Sequence, residues 1–304
     1  MFGDKANFST IKARLTDLLR NKRTQLPTLP VVAQNIIRIS RDPTSSANDL
    51  TAFISNDQAI ANKILRMANS PYYGTGKKVD SILRAITIIG FDEILGLAVG
   101  IGILPSFKSN PIGRILDMRE LWLHSLACCF AANNCTKYMR ERKNDGATAP
   151  PEEKATFLPT LLHDMGKIIF SIYFPAEYAQ VLLHASGNET PLHLVEQQML
   201  GIDHAHLAAL LMQYWNFPET LLVPVRYHHA PEQCDGEHRF DAWLIMLANS
   251  LARDAKIGNS YNRQVYESGP IGAELGLDGK AVWELKTTLA KQQGEIEQFF
   301  QLIS

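Results

Sequence analysis

No stretch of this chain is apolar for long enough to cross a membrane as a helix. The longest such run, Ile94 to Leu104, has eleven residues, against the roughly 20 that a bilayer core requires. An excess of positive charge is missing too. Thirty Lys and Arg stand against thirty-one Asp and Glu, a formal net charge of −1, so a general affinity for nucleic acid is not expected. The basic cluster near the start (Lys12, Arg14, Arg20, Lys22, Arg23, Arg38, Arg41) has no interleaved aromatics and reads as a solvated helix face. Cysteine is scarce. Cys128, Cys129, Cys135 and Cys234 show no Cys-x-x-Cys spacing and read as reduced, buried thiols of a cytoplasmic protein. Met1 to Thr10 has no apolar signal region. Nowhere do apolar and polar residues alternate over the length a strand needs.

What is present is helical periodicity. With 46% hydrophobic and 20% charged residues, the composition is that of a globular protein, and the length allows one large domain or two ordinary ones. Ile11, Leu15, Leu18 and Leu19 form one stripe; Val32, Ile36, Ile37 and Ile39 form another. Leu26-Pro27-Thr28-Leu29-Pro30 forces an extended connection between them. Asn48-Asp49 and Asn56-Asp57 read as successive N-caps, and Ser81 and Asp92 cap the next two helices. The Asp92 helix is expected to end at Pro105, with Gly96 and Gly100 marking a close helix contact. A long helix covers about 112–142, interrupted near Leu116–Met118. Lys143 to Lys154 reads as a loop. Helices then follow over about 153–164, 166–173, 176–185, 191–200, 203–215, 219–229, 239–257 and 279–303. The expected fold is all-α: an N-terminal lobe over 1–110, a second lobe over 111–258, and a C-terminal loop and helix over 259–304 packed on the core.

The histidines are unevenly placed. All nine lie between His124 and His238. His163-Asp164 stands at an expected helix end, with Gly166 read as the stop. An adjacent imidazole and carboxylate can reach one metal ion, and that donor set suits iron, manganese, zinc or nickel better than calcium. His124 lies in an apolar helix, His204 follows the N-cap Asp203, and His228-His229 ends a helix before Ala230-Pro231. Each alone also suits a core or capping histidine, and His229 at a helix C-terminus is favoured by the macrodipole.

Taken in order, His124, His163-Asp164, His204 and His228-His229 resemble the metal-binding series of the HD superfamily of phosphohydrolases. The fuller resemblance is to the mostly non-catalytic HDOD branch of bacterial signalling proteins. It is carried by Leu26-Pro27-Thr28-Leu29-Pro30, by Ala59 to Ser70, by Ile82 to Gly90, and by Trp122 to Ser125. The Leu-Leu-His-Asp-x-Gly-Lys core, Asp203-His204 to Trp215, and His228-His229-x-Pro complete it. It spans roughly residues 20 to 255. The second lobe is thereby expected to resemble an HD-type helical core, holding a divalent transition metal (Fe, Mn, Zn or Ni) or no cofactor. The candidate ligands are His124, His163, Asp164, His204, and one of His228 or His229.

Two departures count against hydrolysis. An active enzyme of this kind closes its metal site with an aspartate on a late helix, where this chain has Asn249, while Asp254 is five residues further on and faces elsewhere. The Gly-Tyr-Pro loop of cyclic-dinucleotide phosphodiesterases is also missing after His229. No catalytic residue is assigned, although Lys167 stands where it could contact a phosphate. The resemblance implies a regulatory signalling protein acting through protein or small-ligand contacts, with signalling partners on separate chains. The alternative is a metal-dependent phosphohydrolase of a nucleotide or cyclic dinucleotide.

Overall fold

Caps decide where the first helices begin. In the computed structural model, which describes residues 13–14, 31–42, 44–74, 76–108, 115–142, 156–188, 190–262 and 266–303, α1 spans Val31–Arg41 and α2 spans Ala47–Ser55. The cap of α2 is Ser46, not Asn48 as the sequence suggested. Ser46 and Asp49 form a reciprocal capping box, which satisfies two orphan N–H groups at once. Asp57 caps α3 (Gln58–Ala68) and Ser81 caps α4 (Ile82–Ile89). Gly90 then reverses the chain at φ +106, a conformation closed to most side chains.

α5 (Phe91–Lys108) includes Asp92 within its first turn and runs past Pro105. The expected stop there fails: the proline costs one backbone hydrogen bond, and the turns before it are buried through Ile94, Leu97, Ala98, Val99 and Ile101. α6 (Met118–Glu141) begins at the interruption expected near Leu116–Met118, capped by Asp117. The second lobe continues with α7 (Phe157–Leu162), α8 (Met165–Tyr173), α9 (Pro175–Asn188), α10 (Leu192–Leu200), α11 (His204–Tyr214), α12 (Glu219–Tyr227) and α13 (Arg239–Asp254). Short α14 (Ser268–Glu274) leads to α15 (Gly279–Lys291) and α16 (Gln293–Ile303). The single terminal helix expected over 279–303 is thus two helices. The break falls at Gln292, whose side chain accepts a hydrogen bond from Asn134 of α6 at 2.7 Å. Among the described residues there is no strand, and no single helix is long and apolar enough to cross a membrane. The Ile11–Leu19 stripe lies largely outside the described residues; the Leu26–Pro30 connection and the Lys143–Lys154 loop lie wholly outside them.

Helix α6 is the axis of the molecule, packing against α7, α13, α15 and α16. One continuous apolar core runs through both lobes. α5 crosses from the first lobe onto α7, at the close contact the two glycines marked. A Cβ on Gly96 would lie 2.9 Å from Phe157 Cδ1, and one on Gly100 would lie 2.7 Å from Leu161 Cδ2. Gly100→Ala is therefore expected to destabilise the fold by about 1–3 kcal/mol through overpacking. Gly187→Ala, at an exposed helical position with nothing near its Cβ, should be neutral or gain up to about 0.5 kcal/mol. Denaturant midpoints of the two variants check the contrast, and equal midpoints would disprove the close α5–α7 contact.

Candidate metal centre

His163 and Asp164 occupy the break between α7 and α8. Gly166 is not a left-handed stop, as the sequence suggested. It lies in the first turn of α8, and a Cβ there would collide with the His204 carbonyl. What it supplies is room for α11 to bring His204 against the break. Gly258, at φ +66, does the same beside α6, where a Cβ would collide with the His124 backbone. Glycines on opposite sides thus let two histidine-bearing helices close on Asp164.

The carboxylate of Asp164 is the hub. Its Oδ2 accepts from Lys167 Nζ at 2.7 Å and stands 4.0 Å from His124 Nε2. Its Oδ1 lies 3.3 Å from His204 Nε2 and 3.5 Å from His163 Nε2. The His163 and His228 ring centroids are 5.0 Å apart, and those of His204 and His229 are 4.8 Å apart. All six candidate ligands therefore come together, although His229 meets the cluster through His204, their Nε2 atoms 2.9 Å apart. His206 turns outward to pair with Asp203. Asp254 faces away as expected, toward Ser268 and Lys286. Asn249 Oδ1 points at His124 Nε2, 3.2 Å away.

Three buried atoms at the middle of this cluster, His163 Nε2, Asp164 Oδ1 and His228 Nε2, have no hydrogen-bond partner. Their residues form a set whose ligand atoms all lie within 4.8 Å of one another. Leaving one such group unsatisfied costs about 1–3 kcal/mol, so three together call for an explanation. The other face of each ring is fixed. His163 Nδ1 donates to the Thr160 carbonyl and His228 Nδ1 to the Val225 carbonyl, each at 2.7 Å. This presents both Nε2 lone pairs to the centre, as metal-ligating imidazoles do. The donor set fits a divalent transition ion.

Several contributors gave no sequence signal. Glu196 accepts from both the backbone N–H and Nδ1 of His204, and Tyr178 donates to its other oxygen at 2.8 Å. The Ser260 carbonyl takes Lys167 Nζ at 2.8 Å. His193 stacks on His229, with centroids 4.2 Å apart. Cys128 did leave a signal, since it stands one turn from His124; its Sγ is 3.5 Å from His124 Nε2.

Burial dominates the titration of these rings. It pushes His124 down to about 3 and His193 to about 4, and it holds His163, His228 and His229 below the usual histidine range. For His204 burial works the same way, but the Glu196 carboxylate overrides it and lifts the ring to about 9. Burial alone would raise Asp164; His163, Lys167 and His204 together hold it well below the carboxylate range.

The profile of the HDOD domain matches residues 26–231. This chain belongs to the HDOD family. A curated relative, an uncharacterised protein of Treponema pallidum, is 24% identical over 249 residues, covering 80% of this chain. The chain spans 45% of that relative's length. An HDOD domain protein of Geobacter sulfurreducens superposes with a TM-score of 0.73 at 20% identity, covering 99% of both chains. A candidate signal transduction protein of Marinobacter aquaeolei gives 0.71 at 22% identity, over 98% of this chain and 66% of its own. A candidate metal-dependent phosphohydrolase of Shewanella amazonensis gives 0.61 at 19% identity, over 95% and 99%. At these identities the likeness establishes a shared all-helical fold.

The depressed histidines make a signed prediction for the metal-free protein. A ring held neutral in the fold but free to protonate near 6.5 when unfolded binds more protons in the unfolded state, so stability falls as pH drops. His204 acts oppositely: its contribution is complete below 6.5 and is lost as pH rises through about 9. Below 6.5 the His204 contribution no longer changes, so the five depressed rings predict a loss of stability between pH 6.5 and 4. Urea denaturation in chelator at pH 7.5, 6 and 5 tests this, and a flat profile would contradict the burial of these rings.

Proposed function

We propose that this HDOD protein is a non-catalytic signal-transduction regulator whose second lobe binds a divalent transition metal and whose surface engages signalling proteins on separate chains. The metal reading rests on the three orphaned atoms of His163, Asp164 and His228. His204 and His124 complete the candidate set. A bound ion would lower the pKa of a coordinated water, the chemistry on which a hydrolase of this superfamily depends.

Three observations weigh against turnover. Lys167, the one candidate phosphate contact, is 1% exposed. Its ammonium is already engaged by Asp164 and the Ser260 carbonyl. Asn249 brings a neutral amide beside His124 where an acid is wanted. A phosphate could not reach Lys167 without breaking a buried ion pair, which costs about 3–5 kcal/mol.

A small ligand has a separate place to bind. A cavity of about 550 Å3 opens between α5, α6 and the start of α7, lined in part by Glu93, Asn133, Thr136 and Arg140. Burial raises the Glu93 carboxyl to about 7, and Tyr73 donates to it at 2.8 Å.

The competing reading is a metal-dependent phosphohydrolase, favoured by the surviving His-rich series. Elemental analysis after chelator-free purification, thermal shifts with Zn2+, Mn2+, Fe2+ and Ni2+, and turnover assays on nucleotides and cyclic dinucleotides separate the two. We expect bound metal and stabilisation of about 2.7 kcal/mol at a hundredfold excess over Kd, lost in His163→Ala, with no turnover. Hydrolysis that disappears in His163→Ala would establish the enzyme instead. Absence of both metal and thermal shift would remove the metal from the proposal.

A further inference from the structure

The centre just described has a charge deficit. Asp164 is its one carboxylate ligand, and that charge is matched by Lys167 at 2.7 Å. Glu196 reaches the cluster only through His204. Asn249 is neutral. A divalent ion among imidazoles would therefore gain little net anionic compensation in a site where His124, His163, Asp164 and His204 are all at most 1% exposed. Buried uncompensated charge is costly.

One further group in reach can become an anion. Cys128 lies on α6 four residues after His124, hence on the same helical face. It is fully buried. His124, Cys128 and His163 form a set whose ligand atoms all lie within 4.8 Å of one another, and His163 also belongs to the set with Asp164 and His228. The neighbouring thiol behaves differently: Cys129 Sγ turns to the Phe157 carbonyl at 3.5 Å.

Resting on the metal reading above, we infer that Cys128 is a thiolate ligand of this centre, supplying from α6 the negative charge that Asn249 does not supply from α13. On binding, the S–H proton leaves to solvent as the sulfur–metal bond forms, so the ion exchanges one proton for one coordinate bond. A mixed nitrogen, oxygen and sulfur set favours Zn2+ or Fe2+ over Mg2+ and Mn2+, because thiolate is a soft donor. The plain alternative is a buried thiol that only hydrogen-bonds the His124 ring.

Co2+ titration of the full-length, metal-free protein distinguishes these, since a thiolate on Co2+ gives a near-ultraviolet charge-transfer band that imidazole and carboxylate do not. We expect that band in the wild type and in Cys129→Ser, and its loss in Cys128→Ser. Should Cys128→Ser fail to fold, Cys128→Ala gives the same reading. Co2+ bound with visible ligand-field bands but no charge-transfer band would overturn the Cys128 assignment and leave the metal reading standing. A band that survives in Cys128→Ser would also overturn it. No Co2+ binding at all would overturn both.

Discussion

The second lobe is organised around one buried carboxylate. Asp164 and Lys167 are each 1% exposed, and desolvating both charges offsets most of what their attraction returns. Such a pair is a weak source of net stability, but losing either partner leaves an unpaired charge in the core. Its consequence is therefore geometric. Asp164 Oδ2 is committed to Lys167, which turns Oδ1 toward His163 and His204. Lys167 in turn ties the break between α7 and α8 to the Ser260 carbonyl, just beyond the Gly258 contact with α6. Four separated segments are held in register by two side chains.

That arrangement separates what the sequence could reveal from what it could not. Helices were legible because apolar residues recur at the helical period and because Asp57, Ser81, Asp203 and the glycines punctuate them. Errors came where a tertiary contact decided the outcome. At the break at Gln292 the side chain meets Asn134 of α6, a residue distant in sequence. Gly166 shows the same limit at one position: its missing Cβ was visible, but the reason for it is a carbonyl on a helix that begins 38 residues later.

The centre was legible in parts for a chemical reason. Histidines carry their donors at fixed reach, so their order along the chain was informative once the family resemblance supplied an expected order. Glu196 and the Ser260 carbonyl left no trace, because a carboxylate within a helix and a backbone oxygen in a loop are too common to single out. Lys167 looked like a helix-end lysine free to meet phosphate. Its actual role became visible only when α13 and the segment after it closed over the site.

The first lobe brings no described ligand to the centre, yet it bears on it mechanically. Phe157, Leu158 and Leu161 of α7 fill the space left by Gly96 and Gly100 of α5, and His163 follows directly from α7. The same backbone thus carries a lobe contact on one end and a candidate ligand on the other. Packed interiors respond to displacement by repacking rather than by smooth deformation. The Thr160 carbonyl bond holds the His163 ring with Nε2 toward the centre, and the same helix, α7, carries the contact with α5. The two lobes thus meet on the helix that leads directly into the candidate ligands, with no described first-lobe side chain among them.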